Sequence, residues 1–107
     1  MRIRTLIDVP PKARAGEVIT IRATISHPME TGYRRDSDGI LLARDIIRTF
    51  SCQFGDKAFF RSDLFPALSA NPYLAFHYRA RVSGELTFIW SGDRGFEHRE
   101  RVALIVE

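Results

Sequence analysis

The run Glu17-Val18-Ile19-Thr20-Ile21-Arg22-Ala23-Thr24-Ile25-Ser26 decides the fold class. Ile19, Ile21, Ala23 and Ile25 fall on one side of an extended chain and Thr20, Arg22, Thr24 and Ser26 on the other, the period of two that a half-buried strand requires. The same pattern returns further along the chain. Within 46–54, Phe50, Cys52 and Phe54 oppose Thr49, Ser51 and Gln53; within 73–82, Leu74, Phe76, Tyr78, Ala80 and Val82 oppose His77, Arg79 and Arg81. Leu86, Phe88 and Trp90 continue the inward set, Val102, Leu104 and Val106 close a last strand, and shorter strands are expected at 2–9 and 57–62. Pro10-Pro11 withdraws donors from any ladder, and Gly55-Asp56, Ser83-Gly84 and Ser91 to Gly95 turn the chain. Between the corner at His27-Pro28 and residue 46, Thr31–Arg35 and Ile40–Asp45 flank the turn Asp36-Ser37-Asp38-Gly39, which predicts a protruding hairpin. The reading is all-β: an immunoglobulin-like antiparallel β-sandwich of about seven strands plus that hairpin.

Composition narrows the function. A chain of 107 residues is expected to form one domain, 1–107. Its net charge of +3 comes from 16 basic and 13 acidic residues that are interleaved, so the concentrated basic face of a nucleic-acid binder is not expected. A single cysteine, Cys52, excludes an internal disulfide and a zinc site built on paired cysteines. No apolar run suits a membrane span, and the charges within Met1 to Asp8 break any signal peptide. On these grounds alone the expectation is cytoplasmic.

No catalytic set emerges. His27, His77 and His98 share no metal-ligand spacing, so neither metal nor cofactor is expected. Cys52 lies between Phe50 and Phe54 on the inward side of a strand, where a thiol is poorly ionised and inert. Ser26, Ser51 and Ser69 lack the glycine-flanked elbow of a hydrolase serine, and Asp36 and Asp38 belong to a turn. What remains is two proline-fixed, aromatic-bearing segments, Ser26 to Arg34 and Pro66 to Leu74, which read as surfaces for a partner. The candidate contacts are His27, Pro28, Met29, Tyr33, Asn71, Pro72 and Tyr73. A residue before proline is held extended, so His27 reads as a positioned contact and not a catalyst. Met29 and Tyr73 are the expected apolar anchors, and their truncation to alanine is expected to weaken association. The competing reading is a stand-alone enzyme using Cys52 or His27, which Cys52→Ser separates: it would abolish turnover but spare assembly.

The strings Ala15 to Ile21, Ile25-Ser26-His27-Pro28-Met29-Glu30-Thr31-Gly32 and Ala67-Leu68-Ser69-Ala70-Asn71-Pro72-Tyr73-Leu74 resemble, in order and spacing, the SoxZ family, the small subunits of the SoxYZ sulfur carrier. The resemblance implies a heterodimer with a SoxY-like subunit, whose C-terminal arm bears the cysteine that carries the sulfur intermediates of thiosulfate oxidation. It implies a non-catalytic chain that supports this partner and docks transiently with other sulfur-oxidation enzymes. Cys52 is then not the carrier thiol, since the chain ends Ala103-Leu104-Ile105-Val106-Glu107 without a glycine arm or cysteine. The family is periplasmic, exported with a signal-bearing partner, which by resemblance reverses the cytoplasmic expectation. A SoxYZ-like module serving another redox system is the remaining alternative.

Overall fold

A computed structural model describes residues 3–27, 29–64 and 72–107. Among them are seven strands and no α-helix: β1 (Thr5–Asp8), β2 (Val18–Ile25), β3 (Ile47–Phe54), β4 (Lys57–Asp63), β5 (Tyr73–Arg79), β6 (Gly84–Gly92) and β7 (Glu97–Leu104). They form two antiparallel sheets, ordered β1-β2-β5 and β4-β3-β6-β7. This is an immunoglobulin-like sandwich in which the fourth strand lies beside β3 instead of joining the sheet of β5.

The alternation of β2 sets the register. Ile19, Ile21, Ala23 and Ile25 are all buried, while Thr24 pairs with Leu6 on one side and Tyr73 on the other. Facing this sheet, Phe50 sits at the centre of an aromatic cluster with Phe60, Phe76, Phe88 and Trp90, its ring 5.2 Å from that of Trp90. Phe60 and Phe76 stack across the two sheets at 4.2 Å. Burying each such ring contributes about 1.5–3 kcal/mol, so this cluster does without the inter-sheet disulfide of antibody domains.

Three local expectations need correction. Val82 was expected inward, but β5 ends at Arg79, and after the Ala80 N–H to Glu17 carbonyl bond of 2.8 Å the chain leaves the sheet, exposing Val82. Val106 lies outside β7, in a lone parallel bridge with Ala13. The hairpin is present, but as two isolated bridges, Glu30 to Asp45 and Arg35 to Leu41, not as two continuous strands. The Asp36 carboxylate organises its tip by accepting from the amides of Asp38 (2.9 Å) and Ile40 (3.0 Å). We call residues 30–45 the arm. It leaves the sandwich where β2 ends and β3 begins, at the same end as the β6–β7 turn.

Candidate functional site

The root of the arm is built around His27 and Met29, two of the expected surface contacts. The His27 ring is only 2% exposed. Its Nδ1 accepts a 3.0 Å hydrogen bond from the Met29 amide, which puts the neutral ring's proton on Nε2. Phe96 packs edge-on against the ring at 4.8 Å. Nε2 points toward the Asp45 carboxylate at 3.7 Å, too long for a hydrogen bond, and has no hydrogen-bond partner among the described residues. Burial lowers the affinity of this ring for a second proton, and the charges of Asp45 and Asp93 only partly oppose that effect.

Met29 completes the root. Its backbone adopts φ 49°, a left-handed conformation uncommon outside glycine, and this turns the thioether inward. There Sδ accepts from the Ile47 amide at 3.3 Å, at the first residue of β3. The 5% exposure of Met29 reflects this docking. Gly32, at φ 91°, passes so close to Arg44 that a Cβ would stand 3.2 Å from the arginine's own.

Asp93 fastens the root to the opposite turn. Its carboxylate accepts from Arg44 (2.9 Å) and the Ile46 amide (3.3 Å) and pairs with Arg48 (3.4 Å). Burial alone would raise its pKa, yet these partners hold it below the usual carboxylate value. Further along, Glu30 forms a 2.7 Å ion pair with Arg34, and that hydrogen bond lowers the carboxyl's pKa.

The candidate contacts thus divide. Tyr33, 89% exposed, and Tyr73, 61% exposed, stand at the surface; Pro72 is buried; Pro28 and Asn71 lie outside the described residues. The expected surface positions of His27 and Met29 are corrected by their burial in the root. Sequence reasoning missed Leu6, Ile40 and Leu41, all exposed, and Asp93. The first three belong to segments read only as strand or hairpin; the aspartate's partners lie far away in sequence.

With this geometry in view, comparison with known families is decisive. The profile of Sulphur oxidation protein SoxZ matches residues 7–103. The chain belongs to the SoxZ family. Solved structures of superoxide reductase (neelaredoxin) from Ignicoccus hospitalis share the SoxZ-family fold: one has a TM-score of 0.73 at 20% identity, covering 96% of this chain and 79% of its own. A second matches with TM-score 0.72 at 18% identity. At such identities the likeness concerns the fold alone. No curated individual protein matches the chain.

Family membership gives the only cysteine its meaning. Cys52 is fully buried, paired across strands with Phe60 and Phe88, and burial pushes its thiol up to about 12. A thiol that neither ionises nor meets solvent is no nucleophile. The described residues include no group of three His, Cys, Asp or Glu side chains able to hold a metal ion, and no helix long and apolar enough to cross a membrane.

Proposed function

We propose that this SoxZ-family chain is the non-catalytic subunit of a heterodimeric sulfur carrier in thiosulfate oxidation. Its partner is a SoxY-like subunit whose C-terminal cysteine arm holds the substrate, and the pair docks in turn with the enzymes that act on it. The observation that carries the reading is the family match over residues 7–103. The sealed state of Cys52 supports it: a swinging thiol that visits several enzymes is best held by a scaffold with no competing nucleophile. Tyr33 and Tyr73 are the aromatic contacts available to the partner, and aromatics are enriched at interface hot spots. The pair works in the periplasm, exported on the partner's signal.

The test is co-expression with a SoxY-like partner followed by size-exclusion chromatography. A stable one-to-one complex is expected, with sulfur adducts found by mass spectrometry on the partner's cysteine only. Separate elution, or adducts on Cys52, overturns the proposal.

A further inference from the structure

The two outer faces of the sandwich differ in chemistry. Across β4-β3-β6-β7, the outward register aligns Arg61 with Ser51, Ile89 and Arg99, and places Asp63, Glu97, Arg101 and Glu85 around them. That is an ordinary solvated face. Across β1-β2-β5 the outward rows are Leu6–Thr24–Tyr73, Asp8–Arg22–Ala75, Thr20–His77 and Val18–Arg79. Two of its charges are engaged, Asp8 with Arg22 at 3.6 Å and Arg79 with the Gly16 carbonyl at 2.7 Å, and exposed Arg4 stands opposite Ser26 at the arm's end. Leu6, 72% exposed, and Tyr73 border a shallow, mainly apolar cleft of about 190 Å³ over Arg22 and Thr24. An outer sheet face normally turns polar side chains to water, so an exposed leucine and tyrosine beside an apolar cleft mark this end of the face as the core of an interface.

This face is too small to hold a partner by itself. Three strands of at most eight residues offer a flat footprint of about 400 Å², against roughly 800 Å² per partner in a stable complex. The Leu6–Thr24–Tyr73 row, however, lies at the arm's end of the sheet, and Glu30, the first residue of the arm, follows Thr24 closely in the chain. The arm exposes Tyr33, Ile40 and Leu41. A two-stranded hairpin alone is marginally stable in water, yet this one is braced at its root by Met29, Arg44 and Asp93. The molecule is 58 Å long and 22 by 20 Å across, of which the strands account for about 30 Å. The arm's two faces add about 400 Å², which brings the combined surface to the size a stable dimer needs.

We infer that the outer Leu6–Tyr73 face and the arm form one continuous seat for the carrier's partner subunit, with the arm as a clasp and the charged sheet left free. The inference deepens the proposed function and rests on it. The occupant presents an apolar patch to Leu6, Tyr73, Tyr33, Ile40 and Leu41, rimmed by polar groups that meet the exposed Arg34, Arg35 and Asp38 of the arm.

The test measures affinity for the SoxY-like partner by titration calorimetry with three double variants: Leu6→Asp with Tyr73→Asp, Tyr33→Asp with Leu41→Asp, and Arg61→Ala with Arg101→Ala. Each of the first two is expected to weaken binding at least tenfold, and the third to stay within twofold. Photo-crosslinking residues at positions 33 and 73 should both capture the partner, a readout that survives if an aspartate variant folds poorly. If the wild type binds while either seat variant stays within twofold and its position fails to crosslink, the seat is overturned and the carrier reading stands. If the wild type does not bind, both fall. If the chain instead self-associates and the seat variants abolish that, the occupant is a second copy and this proposal is wrong.

Discussion

Met29→Leu isolates the sulfur at the arm's root. Leucine nearly preserves volume and removes only the acceptor, leaving the Ile47 amide, now 3.3 Å from Sδ in the interior, without its partner. A volume-conserving swap costs less than about 1.5 kcal/mol, and an orphaned buried donor costs about 1–3 kcal/mol. The expected loss is therefore about 1–4 kcal/mol. Met29→Ala adds a cavity and should reach about 3–6 kcal/mol, a large part of the 5–15 kcal/mol that holds a domain together. Urea denaturation reads both as a lower midpoint at unchanged slope. A Met29→Leu midpoint equal to wild type would refute the assignment of the thioether as acceptor. Folded Met29→Leu should still bind the partner with wild-type affinity, since the side chain is interior. Lost affinity at full stability would return Met29 to the surface.

Three further outcomes are expected. Because the buried His27 ring resists protonation, the unfolded chain binds the proton first as pH falls, so this contribution is complete above the ordinary value of 6.5 and declines below it until the folded ring titrates. The decline is at most about 1.4 kcal/mol per pH unit, and urea midpoints at pH 7.5 and 5.5 should differ for wild type but much less for His27→Gln; parallel behaviour would exclude the ring as the cause. Cys52, with its thiol raised from 9.0 to about 12, should react with a thiol reagent about a thousandfold more slowly in the folded chain than in urea, and comparable rates would contradict its burial. Gly92→Ala drives a Cβ into the Ile46 carbonyl and the Ile47 backbone, so a loss of about 3 kcal/mol or more is expected in the same denaturation assay, and a neutral result would mean β3 moves aside freely.

Regular strands were readable because the side-chain period of two needs no tertiary knowledge: Ile19, Ile21, Ala23 and Ile25 point inward as their spacing demands. The rule fails where the backbone is irregular. Met29 turns inward through a left-handed φ that composition does not announce, and His27 follows it by bonding the Met29 amide. In β1, Leu6 and Ile7 are both apolar, so alternation could not say which faces out; pairing with Thr24 and Ala23 decides it. The family strings pointed to the family that the profile match shows, but a motif fixes membership without fixing which of its side chains face water.

The Asp93 brace links two loops from distant parts of the chain. Arg44 belongs to the arm's return leg and the Ile46 amide follows directly on it, whereas Asp93 opens a turn in which Arg94 sits at φ 60°. The direction of the arm is thus written in a turn some fifty positions later. Insertions or substitutions at 93–95 would re-aim the arm like a rudder linked to a distant tiller. Relatives could change which partner they grasp through residues that no partner ever touches.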